Sequence, residues 1–489
     1  MKRPVTLYIM FVLMLTVLFL PGLQNLFNIF SITPLEGAFI SSEKPAFYFS
    51  DFEKGEYQQK TEKYIEERIG FRPLLVRLRN QIDFLLYKKA NGEGIIIGKN
   101  NVIIEEDYIL EYLGRLFIGE NTIDKKLERV KFIQDTLAAK GIWFAIVFEP
   151  GKASFYSELI PKRYKPENKT ISNYDYFIRK CNELNINYLD LNHYFCEIKS
   201  SSPYPLYPQY GTHWSNYGMT IAADTLLKYI ETLLDKNLNH FNINQIDIST
   251  DLRDTDFDGG KSMNLLWKSK TWKMAYPVME FEKHEHNYYP KVLVVADSYY
   301  WNIYNSGIPQ NIFANEAFWY YNSLVYPDHY GNELKVEEID VKSAVEQQEI
   351  ILVMITERFL YTAFWSFTDN LYSLFKPDYT TDILYDIGNK IRHDRNWFEL
   401  ILKDAKLKKR TIEEIVNEHA EYILWEELQN KTDRTYQEHI EYYKLTIKRD
   451  PEWYSAVKLK AKENNVSIEE MLECDAIWTY EYNILGMHR

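Results

Sequence analysis

Cysteine is scarce: Cys181, Cys196 and Cys474 are the only three in 489 residues, and their spacing makes neither a disulfide framework nor a zinc site. They are expected as buried or free thiols. Basic excess is also missing. With 57 Lys and Arg against 70 Asp and Glu, the net charge is -13, which argues against a nucleic-acid partner because no surplus of cations exists to displace phosphate counterions. What the chain does have is a globular balance of 46% hydrophobic and 26% charged residues, enough length for two or three domains, and 16% aromatics. That aromatic content suits carbohydrate-facing surfaces and core packing equally.

Lys2-Arg3 precedes Val5 to Leu20, an uncharged apolar run near the short end of what a membrane helix requires, followed by Pro21-Gly22 and the largely apolar Leu23 to Phe30. No convincing small-x-small cleavage site follows, so an uncleaved signal anchor over 1-30 is expected. The basic pair would stay cytoplasmic, which places the rest of the chain outside it, in the periplasm or on the cell surface. Residues 31-87 read as a stalk leading into helix. Lys60 to Tyr87 has helical spacing, with Ile65, Leu75, Leu78, Ile82 and Leu85 available to one face. Gly94 to Ile104 reads as a hairpin turning at Lys99-Asn100-Asn101.

Helix and strand patterns then alternate. Ile123 to Lys140, Asn173 to Leu184 and Ser215 to Leu234 are helical; Gly141 to Phe148, Ile186 to Leu191, 291-297 and Glu349 to Ile355 are strand-like. Strands separated by helices predict an α/β domain over 88-365, a mainly parallel sheet with helices on both faces.

One strand ends abruptly: Lys291-Val-Leu-Val-Val-Ala-Asp-Ser-Tyr-Tyr300. A buried strand closing on Ser298 presents its hydroxyl at the carboxyl end of a sheet, where open α/β folds place ligands, although Asp297-Ser298 also suits a simple helix cap. His213 lies in the loop Tyr207-Pro-Gln-Tyr-Gly-Thr-His-Trp-Ser-Asn-Tyr-Gly218, just before a helix. A serine hydroxyl is a poor nucleophile until an adjacent imidazole can take its proton, so the pair is chemically meaningful only if the fold joins them.

Gly-Thr-His-Trp-Ser-x-x-Gly at 211-218, followed by an apolar strand ending in Ala-Asp-Ser, resembles the alginate O-acetyltransferase AlgX/AlgJ-like family with its SGNH hydrolase-like domain. Gly70-Phe71-Arg72, the Ile97-Gly98-Lys99 hairpin, Glu149-Pro150-Gly151-Lys152, Leu159-Ile-Pro161 and Tyr188-Leu-Asp-Leu191 agree in order, over roughly residues 35-365. The resemblance implies Ser298 as acyl-accepting nucleophile and His213 as general base. Backbone N–H groups at Ser298 and Tyr299 would form the oxyanion hole. Asp297 matches the Asp of the Asp-Ser pair, where orienting or stabilising the turn suits it better than proton transfer. Trp214, Tyr299 and Tyr300 are candidate sugar-binding aromatics, as is Phe318-Trp-Tyr-Tyr321.

This chain departs from the family at one position. The family's acidic triad member sits two residues before the histidine, and that place holds Gly211. A carboxylate from elsewhere (Asp190, Asp254, Asp256 or Asp258) can substitute, a Ser-His dyad can suffice, or the domain can bind glycan without turning it over; all three stay open. Asp254-Thr-Asp-Phe-Asp-Gly-Gly260 resembles the start of a calcium loop, but its twelfth position would be Leu265, which cannot coordinate. Neither metal nor cofactor is expected.

Beyond Trp365 the chain turns charged and helical, and an internal repeat appears at a constant offset. Ile391, Trp397, Thr411 and Ala420 recur as Ile447, Trp453, Ser467 and Ala476. Two copies are few for a solenoid, so 366-489 is expected to be a helical appendage that docks on the catalytic domain or on a partner. The resemblance implies O-acetylation of an exported polysaccharide, with a membrane-bound O-acyltransferase supplying the acetyl group. An acetylesterase and a non-catalytic glycan-binding scaffold are the alternatives.

Overall fold

The computed structural model describes residues 5-37, 42-282, 284, 286-329 and 332-487. Lys2-Arg3 lies outside them. Val5–Phe27 is one uncharged helix, exposed along nearly its whole length and long enough to cross a bilayer.

The strands in chain order are β1 (Ile95–Ile97), β2 (Ile103–Glu105), β3 (Trp143–Glu149), β4 (Tyr188–Asp190), β5 (Phe241–Ser249), β6 (Met274–Phe281), β7 (Val292–Ala296), β8 (Phe318–Tyr320), β9 (Leu324–His329), β10 (Asn332–Lys335) and β11 (Ile350–Thr356). Seven form the main sheet in the order β10-β9-β8-β7-β11-β3-β4. The pairs β8-β7, β7-β11, β11-β3 and β3-β4 are parallel, while β9 and β10 close one edge antiparallel. The hairpins β1-β2 and β5-β6 stand apart from this sheet.

The central strands read as unbroken apolar runs because both faces are covered. Phe144, Ile146, Phe148, Leu293, Val295, Ile351, Val353 and Ile355 pack to one side. Ala145, Val147, Val292, Val294, Ala296, Leu352 and Met354 pack to the other. The helix Asn216–Leu234 contributes to the second core, and Glu120–Ala138 and Asn173–Leu184 to the first. The sheet is thus mainly parallel with helices on both faces.

The helical pattern of Lys60 to Tyr87 divides into two helices, Glu56–Arg68 and Arg72–Tyr87. Gly70 interrupts it for a packing reason. A Cβ there would stand 2.1 Å from the Pro21 carbonyl oxygen and 2.8 Å from Gln24 Cβ, so the end of the first helix presses directly on this backbone. The alternation also passed over β5, β6, β8, β9 and β10. The aromatic run Phe318-Trp-Tyr is a buried strand rather than a glycan platform, with Phe318 and Trp319 inside the protein.

The repeat is visible as structure. Arg395–Lys408 and Ile412–Asn430 correspond to Pro451–Asn464 and Ile468–Asn483 at the same offset. Asp394 and Asp450 cap the first helix of each unit, and Thr411 and Ser467 close capping boxes on the second. Trp397 Nε1 faces His419, and Trp453 Nε1 faces Asp475. The first unit shares the core of the sheet through Phe398, Ile401, Ile415 and Val416, whereas the second has a small core of Ile440, Ile447, Val457, Leu472 and Ala476.

Candidate active site

β7 ends at Ala296, and the next two residues turn over the carboxyl edge of the sheet. Asp297 is fully buried in this turn. Its Oδ1 accepts the Tyr299 N–H at 2.9 Å, and its Oδ2 accepts the Thr356 N–H and hydroxyl at 2.9 and 2.8 Å, which ties β7 to the end of β11. Asp297 therefore braces the turn and does not meet His213, as its role in the Asp-Ser pair suggested. The bracing also revises the oxyanion expectation: the Tyr299 amide is already committed to a carboxylate.

Ser298 is partly exposed, and His213 Nε2 lies 2.9 Å from its Oγ. Behind the ring, His213 Nδ1 is 2.7 Å from Asp258 Oδ2. Burial alone would push the Asp258 carboxyl up, but hydrogen bonds from His213, the Thr212 amide and the Gly259 amide outweigh it and hold the group below the usual aspartate value. Those amides reach Oδ1 at 2.7 and 2.5 Å, and the Thr212 hydroxyl reaches Oδ2 at 3.0 Å. An ionised Asp258 accepts the Nδ1 proton. That leaves the Nε2 lone pair facing the Ser298 hydroxyl, the tautomer a general base needs.

Asp258 comes from the connection between β5 and β6, and its segment explains Gly211. A Cβ at 211 would meet the Thr255 carbonyl oxygen at 2.4 Å and Pro208 Cγ at 2.5 Å. The acid-bearing segment passes through the space that a side chain at 211 would fill. Gly211→Ala is therefore expected to cost about 1–3 kcal/mol of stability. By displacing Asp258 it should also slow turnover by up to about 10²-fold; urea titration and ester hydrolysis check the two effects. The other candidate acids lie elsewhere. Asp190 caps the helix Leu191–Ile198 and accepts the Tyr174 hydroxyl, Asp254 is exposed, and Asp256 is buried with its carboxyl pushed up to about 7 by burial and by the neighbouring Asp254 and Asp258 charges.

One further residue belongs to the site. Lys152, buried just after β3, donates to the carbonyl oxygens of Pro208 (2.8 Å), Gln209 (3.4 Å) and Gly211 (2.5 Å), pinning the loop that delivers His213. Burial lowers its pKa to about 7, against the opposing pull of Asp258, Glu105 and Asp256. Its motif Glu149-Pro-Gly-Lys152 was visible in the sequence, but its target was not. Tyr321 packs its ring against Tyr320, Phe359 and Trp365, and burial, with the Asp297 charge, raises its phenol pKa and keeps it neutral. Its adjacent aromatics pointed instead to stacking on sugar.

The three residues read as a sugar platform are interior. Trp214, Tyr299 and Tyr300 are at most 1% exposed. Tyr299 packs its ring 4.8 Å from that of His213 and donates its hydroxyl to the Thr212 carbonyl at 2.9 Å, with Trp214 edge-on behind it. Tyr300 packs on Phe318. Their apolar size serves to hold the histidine loop against the nucleophile turn. They are buried too deeply to touch a glycan.

Comparison with solved structures returns the O-acetyltransferase domain of Pseudomonas putida AlgJ at 15% identity, covering 55% of this chain and 92% of that one, with a TM-score of 0.37. Pseudomonas aeruginosa AlgX aligns at 12% identity over 57% of this chain and 67% of its own, with a TM-score of 0.38. Bacillus cereus PatB1 with a sulfonyl adduct aligns at 13% identity over 55% and 97%, with a TM-score of 0.33. Comparison with curated proteins finds no match. The family described as SGNH hydrolase-like domain, acetyltransferase AlgX, matches residues 113–253, a span that includes His213 and stops before Asp258 and Ser298. Over that span the chain is similar to the SGNH hydrolase-like domain of AlgX-type acetyltransferases.

Proposed function

We propose that this protein is a serine-dependent O-acetyltransferase that moves an acetyl group through Ser298 to hydroxyls of an exported polysaccharide. The observation that carries the proposal is the continuous chain from Asp258 through His213 to Ser298, at 2.7 and 2.9 Å. In the first half-reaction His213 Nε2 takes the Ser298 proton as Oγ attacks the donor's acetyl carbonyl. The tetrahedral intermediate then expels the donor's alcohol, which leaves with the proton returned by His213. In the second half-reaction His213 deprotonates a sugar hydroxyl, which attacks the acetyl-serine ester and frees Ser298. No step calls on a metal or cofactor.

The uncharged helix Val5–Phe27 supports a membrane anchor that holds the domain on the extracytoplasmic side. Acetyl-CoA is cytoplasmic, so an external transferase needs its acetyl group handed across the membrane, the task assigned here to a membrane-bound O-acyltransferase partner. Transfer and ester hydrolysis share the first half-reaction and differ only in whether sugar or water takes the acetyl group. Incubation with a chromogenic acetyl ester, followed by intact-mass spectrometry, is expected to show one acetyl group on the wild type and none on Ser298→Ala, with His213→Ala unable to release ester product. Equal acetate release by wild type and variants overturns the enzyme reading. Acetylated oligosaccharide, when acceptors are added, distinguishes transferase from esterase.

A further inference from the structure

The helix Arg72–Tyr87 is amphipathic the wrong way round for a soluble protein. Leu74, Leu75, Leu78, Ile82, Leu85 and Leu86 are 42–69% exposed. At helical pitch they fall within an arc of about 120°. The side turned inward is polar. Asn80 Nδ2 donates to the Met263 and Asn264 carbonyls at 2.9 and 3.3 Å, Gln81 accepts the Trp267 amide at 3.4 Å, and only Phe84 joins a small core. The helix is thus held in place by polar contacts while its apolar stripe faces outward.

Several contacts place this stripe at the exit of the first helix. Arg77 donates to the Thr33 and Pro34 carbonyls at 2.7 and 2.6 Å, the rings of Phe30 and Phe71 are 6.0 Å apart, and Gly70 abuts the Pro21 carbonyl oxygen. A groove of about 1050 Å³ lies between the first helix, at Met14 and Leu18, and the helix Glu56–Arg68, at Ile65, and ends at Ile69 and Gly70 just before the helix that carries the stripe. Arg72, Arg79, Lys88 and Lys89 flank the stripe, against the single acid Asp83. An exposed Leu and Ile face edged by cations suits the boundary between acyl chains and anionic headgroups.

We infer that Arg72–Tyr87 is an interfacial helix whose leucine stripe rests in the outer surface of the bilayer that the first helix spans. This rests on reading Val5–Phe27 as an anchor. Rather than swinging on a flexible stalk, the domain is held at a set height, and Phe84 shares a small core with Ile103 of β2 and with Tyr210 of the His213 loop. The Ser298 site is then kept close to the membrane.

The test uses the full chain with its exposed Cys196 and Cys474 replaced by serine, in vesicles of phosphatidylcholine with phosphatidylglycerol as the minor lipid. An environment-sensitive fluorophore is attached through Leu78→Cys, Leu18→Cys or Leu407→Cys in separate samples. Leu18 should be quenched by lipids carrying a deep doxyl group, Leu78 by lipids carrying a shallow one, and the exposed Leu407 by neither. If Leu18 is quenched while Leu78 behaves like Leu407, the interfacial helix is overturned and the anchor stands. If Leu18 is also insensitive, the anchor reading fails and the inference falls with it. Shielding of Leu78 from aqueous iodide without lipid quenching, together with cross-linking between Leu78→Cys chains, identifies a second copy as the occupant and overturns the membrane assignment.

Discussion

Asp258→Asn is expected to lower kcat for acetyl-ester turnover about 10⁴-fold with little change in KM, because an amide in place of the carboxylate favours the wrong imidazole tautomer. The carboxylate makes four contacts, from His213 Nδ1, the Thr212 and Gly259 amides and the Thr212 hydroxyl, all of which favour its ionised form. Asparagine is nearly isosteric, and its oxygen can keep the two amide contacts. Its NH2 group, however, can only donate toward Nδ1, so the ring must carry its proton on Nε2, the atom that has to accept from Ser298. Asp190→Asn is the matched control. Its helix-capping role survives as asparagine, and activity should stay near wild type. Steady-state kinetics on both variants decide the matter, and equal losses would remove Asp258 from the triad.

The second large effect concerns stability. Asp369, on the helix Phe367–Phe375, is buried against the helix Glu120–Ala138, where it pairs with Lys126 and with Arg129 at 3.0 Å. The Tyr385 hydroxyl and Asn389 Nδ2 reach it at 3.1 and 3.3 Å from the next helix, Ile383–His393. Asp369→Ala strands two buried cations and is expected to destabilise the fold by about 3–5 kcal/mol. Urea denaturation followed by tryptophan fluorescence reads this directly. Burial works to raise the Asp369 pKa, but Lys126, Arg129 and Tyr385 together hold it below the ordinary value. Since the native pKa is the lower one, the stabilising contribution is complete at neutral pH, declines as pH drops through the unfolded-state value, and is gone below the native one. Wild type should therefore lose stability steeply in acid, whereas Asp369→Ala should show a shallower acid dependence.

The two predictions draw on different levels of information. The apolar strand ending in Asp297-Ser298 and the His213 loop stand out in the sequence because each is local: a buried parallel strand must be continuously apolar, and a loop opening a helix carries its own cap in Ser215. The helix Asn173–Leu184 was read to the residue, and in the structure Ser172 and Asp175 close a capping box at its start. The helical repeat was readable because a constant offset needs no knowledge of the fold, and the caps at Asp394, Thr411, Asp450 and Ser467 repeat with it. The small strand β8 was not readable, since three aromatic residues have no period.

Sequence by itself determined the sheet's central strands, the uncharged first helix and the repeat, and it marked Ser298 and His213 as candidates, because each is written in neighbouring residues. Tertiary structure alone decided which of four scattered aspartates meets His213, that Asp297 braces a turn, and that Trp214, Tyr299 and Tyr300 are walls. It also decided which way the leucines of Arg72–Tyr87 face. The physical reason is the same in each case. Periodicity reports that a helix or strand has an apolar side, and side-chain type reports what chemistry is available. Which groups lie within 3 Å of one another depends on chain segments 45 and 85 residues apart being packed together. At Gly211 the missing side chain is the space through which that packing brings the acid.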